Sequence, residues 1–355
     1  MQFYHIVRIG IRFIALTCRK CYTKLFNFIC DYVVKLIWAF TCKYFYMKKS
    51  VFLTLLFIIV LSSCEKNVTI EIPEKEPRLT VSGFVAKGES FHVTIGKSRH
   101  ILEGDLSSNW QENYIVKNAV PVIYENGLAI DTLIYQSDYQ YKSKYNKIVR
   151  PDLIYSIKVT AAGYKQVEAS TNVPTQSTIA EATIHRRVRV NSYGEDMDDI
   201  IIKLNDPAGE NNFYLIQVLR AGYQNAGYGI GCISTTDKDI ETMGGESDPM
   251  ETESCYDASN LLMKDVNFNG RQKQLKLSAY SGALEPWTDM SNGRIYRPFI
   301  KVYRVTEDYF KYAKSLGIYQ NGDDNPFAEP VNVYSNVKNG YGMFSTYTVA
   351  VDTLR

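Results

Sequence analysis

From Arg78 onward, apolar residues recur at alternate positions, the period of a strand with one face buried. The stretch Leu79-Thr80-Val81-Ser82-Gly83-Phe84-Val85 has this pattern, and Phe91, Val93 and Ile95 repeat it. Val120 to Tyr124 and Leu128 to Ile134 flank Glu125-Asn126-Gly127, and Asn-Gly between two apolar runs is a hairpin signal. Tyr139 and Tyr141 follow, then Leu153, Tyr155, Ile157 and Val159 on one face, and after Gly163-Tyr164 the run Val167 to Thr171. Seven short strands over about 95 residues predict an immunoglobulin-like β-sandwich spanning 78–174, closing at Val173-Pro174. It has no cysteine pair of the antibody kind.

The rest of the chain, 175–355, reads as a second β-rich domain with one or two short helices. Its expected strands are Thr178 to Val190, Asp199 to Leu204, Phe213 to Leu219, Lys273 to Ala279, Phe299 to Val305, Val331 to Ser335 and Met343 to Val351. One helix is expected over Ala258 to Lys264. Another follows Thr306, a good N-cap with Glu307 and Asp308 in the first turn, and should stop at Gly317. Residues 221–256 look different. Glycines interrupt them, and seven acids stand between Cys232 and Cys255 against Lys238 alone. This segment is expected to be one long loop, of the kind that is functional or disordered.

Before the strands lies Met47-Lys48-Lys49, an apolar run from Val51 to Leu61, and Leu61-Ser62-Ser63-Cys64. A basic start, a short greasy helix and small residues before a cysteine are the parts of a secretory signal. The run is short for a membrane span, which needs roughly 20 apolar residues. The last four residues resemble a bacterial lipobox. That resemblance implies cleavage before Cys64 and acylation of its thiol and new amine, with enough acyl chains for stable anchoring. Residues 64–77, with Pro73 and Pro77, read as a tether. Residues 1–46 fit poorly ahead of such a signal. The expectation is a start assigned too far upstream, with Met47 the true first residue; a membrane helix around Tyr32 to Phe40 is the other reading. Cleavage would leave Cys232 and Cys255 as the remaining cysteines, a possible disulfide in an oxidising compartment. It would close a loop of about 20 residues, with stabilisation of order 3 kcal/mol.

Charge then narrows the partners. Residues 1–63 hold nine Lys/Arg and one acid, so the 40 basic and 38 acidic residues of the whole chain leave 31 and 37 after it. A body of net charge −6 with no basic stripe is a poor nucleic-acid binder. Catalytic patterns are missing: there is no His-Glu-x-x-His, no G-x-S-x-G, no P-loop and no dinucleotide fingerprint. The chain is therefore expected to be no enzyme and to need no cofactor or metal. Acid clusters at Glu195-Asp196-Met197-Asp198-Asp199 and Gly322-Asp323-Asp324-Asn325 read as solvated turns rather than calcium ligands. Trp110, Tyr223, Tyr228 and Trp287 fall in polar or glycine-rich segments. All four are candidate contacts for a glycan or peptide ligand or a partner, the alternative for each tryptophan being that it caps its own core.

An ordered set of phrases resembles the Bacteroidetes outer-membrane lipoproteins grouped as domain of unknown function 4249. It comprises Cys64-Glu65-Lys66, the strand from Leu79 to Val85, Asn118-Ala119-Val120-Pro121-Val122, Asp152-Leu153-Ile154-Tyr155 and Val173-Pro174. It continues with Lys264-Asp265-Val266-Asn267-Phe268-Asn269-Gly270, Tyr334-Ser335-Asn336-Val337 and Gly340-Tyr341-Gly342-Met343-Phe344. The resemblance implies a lipid-anchored protein of the outer membrane, facing the cell surface or the periplasm, and encoded near TonB-dependent receptors. It implies no reaction. A binding accessory of such an uptake system is the expected role; a structural or adhesive surface protein, or an enzyme with a dispersed site, are the rivals.

Overall fold

The computed structural model describes residues 76–99, 110–176, 178–221, 227–242, 256–257, 260–322 and 331–355, and Val33. The chain divides into two units, Met1–Pro73 and Glu74–Arg355. All the described residues but Val33 lie in the second, which is mainly β.

The first seven strands are β1 (Leu79–Ala86), β2 (His92–Lys97), β3 (Val120–Glu125), β4 (Leu128–Tyr135), β5 (Tyr141–Ser143), β6 (Ile154–Thr160) and β7 (Val167–Asn172), with α1 (Trp110–Tyr114) before β3. They match the seven expected from alternation. The β3–β4 turn is made by Asn126 and Gly127 at φ 47° and 86°, the paired left-handed residues that an Asn-Gly hairpin requires. Antiparallel pairing runs β1-β2-β5-β4-β3-β6-β7. Alternate side chains enter one core: Val81, Val93, Ile95, Ile123, Leu133, Tyr155, Ile157 and Val159 are all buried. Polar groups drawn inside find partners. The Tyr141 hydroxyl donates to the Val116 carbonyl and accepts from Ala119 N–H, and buried Asp131 accepts from the Ser143 hydroxyl and Thr132 N–H.

The second half packs two sheets face to face. One comprises β8 (Thr178–Val190), β9 (Asp196–Asn205), β12 (Cys232–Ser234), β14 (Tyr256–Asp257) and β16 (Gln272–Tyr280), in the order β14-β12-β16-β9-β8. Opposite lie β10 (Phe213–Ala221), β13 (Ile240–Thr242), β15 (Leu261–Lys264), β19 (Pro298–Val305) and β20 (Tyr341–Thr353), in the order β13-β15-β10-β19-β20, with β11 (Gly227–Gly229) on the edge of β10. Ile200, Ile202, Leu275 and Leu277 of one sheet meet Tyr214, Ile216, Ile300 and Val302 of the other. The outer face of the second sheet is covered by α2 (Glu307–Gly322), whose Phe310 and Ala313 pack on Leu215, Leu262 and Val305.

The strand β20 joins the halves. Its residues 341–347 run parallel to β1, from Thr80 opposite Tyr341 to Ala86 opposite Tyr347. Residues 347–353 run antiparallel to β19, from Val305 opposite Tyr347 to Phe299 opposite Thr353. The two halves thus share one 13-stranded sheet. Phe344 enters the first core. Gly342 sits at φ 105°, and a Cβ there would come 2.1 Å from the Val81 carbonyl oxygen, so only glycine fits.

Three expected elements differ. Residues 261–264 form a strand, not the end of a helix: β10 and β13 pair with its two edges, Leu261 and Met263 enter the core between the sheets, and Leu262 packs against Phe310 and Ala313 of α2, so both faces are covered where a helix would bury one. The expected strand Val331 to Ser335 is irregular. Side chains hold its surroundings instead of a ladder: Tyr334 donates to Asp308, and Asn336 pairs through its amide with both the N–H and carbonyl of Phe344. Gly317 does not end α2, which runs on to Gly322; the glycine is buried inside the helix. The expected cap is present, with Tyr309 N–H donating to Thr306 Oγ1.

Arg304, on β19 and only 3% exposed, holds the connection between halves. It donates to the Thr175 carbonyl in the β7–β8 linker at 2.9 Å, to Asn212 Oδ1 and to Glu210 at 2.7 Å. Because Glu210 is 63% exposed, the ion pair is screened and the buried hydrogen bonds dominate. Arg304→Met is expected to cost about 2–3 kcal/mol, and Glu210→Gln less than about 1 kcal/mol, in urea unfolding. Equal effects would show that the charge pair, rather than the bonds to Thr175 and Asn212, carries the stabilisation. Gly342→Ala is expected to destabilise more than either; an unchanged melting temperature would contradict the close approach to Val81.

Candidate functional site

One end of the second half gathers several of the residues singled out in the sequence. Arg220, near the end of β10, pairs with Tyr228 of β11 on one side and Pro298 of β19 on the other. Just before Pro298, a two-stranded hairpin is formed by β17 (Trp287–Thr288) and β18 (Ile295–Tyr296). Trp287 is half-buried and stacks on Tyr296, with centroids 4.7 Å apart and planes 15° apart. The Arg294 guanidinium lies 5.2 Å from the Tyr296 centroid. The turn is tied by Asp289, which accepts from Ser291 N–H at 2.9 Å, the Ser291 hydroxyl at 2.6 Å and the Asn292 amide at 2.8 Å. Met290 and Ile295 stand exposed beside it.

Beneath the hairpin is a charged group that the sequence reading placed in a solvated turn. Asp198 is fully buried on β9. It accepts from the Arg186 guanidinium at 2.7 Å, from Arg187 N–H at 2.8 Å and from the Ser281 hydroxyl. Burial is the largest influence and pushes its pKa up, but the Ser281, Arg187 and Arg186 hydrogen bonds outweigh it and hold the carboxyl below its usual value. Arg187 N–H reaches it because β8 bulges between His185 and Arg189, with Arg187 at φ 49°. The second Arg186 nitrogen donates to the Leu284 carbonyl at 3.2 Å, and Glu285 lies 3.9 Å from the first. The segment leading into Trp287 is therefore fastened to an ionised buried carboxylate. Neighbouring Asp199 is buried as well, accepting from Ser278 and pairing with Lys276 at 2.6 Å. These two acids are structural ligands of their own sheet, a correction to the solvated reading; Glu195 and Asp196 are exposed, as expected.

The segment 221–256 is not one loop, since it contributes β11, β12 and β13. Its backbone finds partners in three different strands, β10, β16 and β15, which glycine content alone does not reveal. Its described acids serve the protein itself. Lys273, on β16, reaches Asp237 at 2.8 Å and Asp239 at 2.5 Å, and Glu241 pairs with Lys264 at 2.9 Å and Lys314 at 2.5 Å. Cys232 is disulfide-bonded. Its partner lies outside the described residues, as do Cys255, Cys64, Tyr223 and the cluster at 323–325. The side chains of Trp110 and Tyr228 also lie outside them. The backbone of Trp110 opens α1, which leads to the Ile115 bridge with β2, so it belongs to the first half and not to the Trp287 group.

The phrase Asp265-Val266-Asn267-Phe268-Asn269-Gly270 has a chemical spacing that the sequence reading passed over, that of a calcium loop with glycine at the sixth position. Here the twelfth position is Lys276, and the side chains are spent inside the protein. Asn269 donates to Asp265 and to the Glu210 carbonyl, Asn267 donates to Asp239, and the neighbouring cation is Lys273. Asp206 adds bonds from Asn212, Tyr214 and Gly270. Burial, then the Asp206 charge, pushes the Asp265 carboxyl up. Among the described residues no three His, Cys, Asp or Glu side chains are arranged to hold a metal ion. His92 meets the Ser90 carbonyl at 3.1 Å and belongs to no cluster. No helix among the described residues is long and apolar enough to cross a membrane.

The chain belongs to the family defined as domain of unknown function (DUF4249), whose profile matches residues 65–353. No curated protein matches. Among solved structures, one match is the crystal structure of a protein proposed to be membrane-anchored, from Corynebacterium diphtheriae. It is 12% identical, with 66% of this chain and 55% of that one covered, at a TM-score of 0.19. This chain thus spans little more than half of that structure, and the score supports no transfer of fold or function.

The Asp198 network makes a pH prediction. A carboxyl held below its unfolded value contributes stability that is present above the unfolded pKa and lost as pH falls through the folded one. Asp198→Asn should therefore lower the urea midpoint at pH 7, by an amount equivalent to roughly 2–3 kcal/mol, and have a smaller effect near pH 3. The raised pKa of Asp265 has the opposite sign: its contribution is present below the unfolded pKa and is lost as pH rises through the folded value. An Asp198→Asn penalty that does not change with pH would contradict an ionised Asp198.

Proposed function

We propose that this chain is a lipid-anchored binding protein of the cell envelope, tethered through Cys64 to the outer membrane and acting beside a TonB-dependent transporter. The observation that carries the reading is a coincidence of boundaries. The family profile begins at residue 65, immediately after the cysteine at which the Met47–Cys64 signal would be cut. Described strand structure starts at Leu79, so about a dozen residues with two prolines would separate the lipid from the sandwich. Binding rather than catalysis is supported by the kind of surface presented: half-buried Trp287, stacked on the buried Tyr296, with the Arg294 guanidinium beside the pair, offers area and hydrogen bonds. The transporter as partner rests on the gene neighbourhood that the family resemblance implies.

Cys64→Ser is expected to abolish metabolic labelling with palmitate and to move the protein out of the membrane fraction. Retained labelling would defeat the anchor assignment. A mild-detergent pull-down of the wild-type chain should recover a TonB-dependent receptor in near-stoichiometric amount, and Trp287→Ala should reduce that recovery several-fold. Recovery of the protein alone would remove the transporter from the proposal while leaving the anchor intact.

A further inference from the structure

Two turns leave the end of the second half where β9 begins and β16 finishes, with Met197 opposite Tyr280. Each is tied by its own side chains and carries an apolar residue into solvent. In the β8–β9 turn, Asn191 Oδ1 accepts from Tyr193 N–H at 3.0 Å and from Glu195 N–H at 2.9 Å. The Asn191 amide donates to the Glu195 carboxylate at 3.0 Å, and Gly194 supplies φ 84°. Tyr193, at the tip, is 86% exposed. Asp289 ties the β17–β18 turn in the same manner, with Gly293 at φ 69°, and Met290 there is 94% exposed. A tip whose backbone is already fixed loses little conformational freedom when a partner covers it.

More apolar surface lies at the same end. Val188 and Val190 at the end of β8, and Ile295 on β18, are exposed. Tyr280 is 48% exposed, and its ring rests on Gly282, where a Cβ would come 2.5 Å from it. The ring is thus backed by bare main chain on one side while half of the side chain stays in solvent.

The cations among these residues are arginines. Arg187 and Arg189 come from β8, Arg220 from β10, and Arg294 and Arg297 flank β18; all are exposed. The acids nearby are engaged. Asp289 is buried in its turn, Glu195 is held by Asn191, and Glu285 lies 3.9 Å from Arg186. Asp196 lies 3.6 Å from Arg187, but both are open to water, so that pair is weak. Arg220, Arg294 and Arg297 form no ion pair with a described residue. A guanidinium fork matches a carboxylate through two parallel hydrogen bonds, and Arg with Tyr and Trp is the composition that carries binding energy at protein interfaces.

We infer that this end docks an acidic segment of a partner protein, with Arg220, Arg294 and Arg297 taking its carboxylates and Tyr193, Tyr280 and Met290 its apolar side chains. The inference rests on the binding reading above and supplies the chemistry of the partner at the Trp287 end; it needs neither the lipid nor the transporter. Phosphates of an anionic membrane would suit the same arginines. However, the chain enters the fold at the other end of β20, where Thr80 lies opposite Tyr341, whereas Thr353 lies opposite Phe299. The 13 residues of β20, about 40 Å of strand, separate the two ends, which favours a protein over the membrane of a chain tethered through residues 64–77.

The test is panning of random dodecapeptides displayed on phage against the full-length protein in detergent, followed by calorimetry with a synthetic copy of a recovered peptide. Recovered sequences should be rich in Asp and Glu and carry aromatic or aliphatic residues. Arg294→Glu with Arg297→Glu should weaken binding at least tenfold, Tyr193→Ala at least threefold, and added salt should act in the same direction. The same change of charge on the first half, Lys144→Glu with Lys165→Glu, should leave binding intact. All these side chains but Tyr193 are charged and every one is exposed, so unchanged melting temperatures would separate loss of binding from loss of fold. Recovery of uncharged or basic peptides, acidic peptides indifferent to the Arg294 and Arg297 reversals, or no recovery would each overturn the inference. Sedimentation with phosphatidylglycerol vesicles but no acidic peptide would replace the protein partner with a lipid surface. Dimers that dissociate on the reversals, without peptide binding, would replace it with a second copy of the chain. If the transporter pull-down fails while acidic peptides bind as described, the transporter falls and this inference stands; a transporter recovered equally by the reversed variant would overturn this inference alone.

Discussion

The middle of β20 is buried on both faces and cannot hydrogen-bond to water, so its backbone must find partners on both sides. Residues 343–346 are all buried, two of them apolar and two carrying hydroxyls. The ladder with β1 satisfies one edge, and the Asn336 amide meets Phe344 on the other. The hydroxyls are also used: Ser345 meets Thr306 at the α2 cap, and Thr346 donates to the Asn172 carbonyl at the end of β7. Thr348 and Arg304 then share the Thr175 carbonyl. Packing in the first core, the start of α2 and the course of the linker all follow from satisfying this one strand.

The same requirement explains the division of labour among charged residues. Acids that look like surface features along the chain are mostly occupied inside it. Asp198 fixes a bulge, Asp237 and Asp239 enclose Lys273, and Glu241 ties α2 to β15 through Lys314 and Lys264. The Asp265–Gly270 phrase does similar work at the opposite end of β9, where Asp206 accepts from Gly270 N–H. Among the aromatics, Trp287 is half-buried on the buried Tyr296 at one end, and Phe84, Tyr303, Tyr309 and Tyr347 pack between α2 and the large sheet.

Strands with one buried face were legible from alternation, and all seven of the first half appear in order. So was the N-cap at Thr306, because its hydrogen bond is local. Segments whose conformation depends on distant partners were not legible. Leu261-Leu262-Met263 is apolar at every position, a pattern shared by a buried helix and a doubly covered strand, and only β10 and β13 decide between them. Residues 331–335 are apolar enough for a strand, but Tyr334 is held through Ser315 and Asp308 of α2 rather than by a ladder. Of the candidate site, Trp287 was identified as an aromatic in a turn, but its support was not. Arg186, Asp198 and Ser281 are widely spaced in sequence, and nothing local marks them as a unit. The packing of Phe84, Tyr303, Tyr309 and Tyr347 draws on β1, β19, β20 and α2, so no window of sequence contains it.

The position of β20 also has a consequence for biogenesis. Its partner β1 is the first strand of the described β structure and β20 the last, so Thr80 waits for Tyr341 until the residues between them have been made. Until then β1 presents an unpaired edge, an invitation to intermolecular strand addition. Contacts this remote in sequence also form slowly, because the intervening loop must close before they can contribute. Closure of the β1–β20 seam must therefore follow synthesis of residues 341–347. A chain truncated before Tyr341 would lose the seam between its halves as well as its last strand, and escort by chaperones would matter most while the β1 edge stands open.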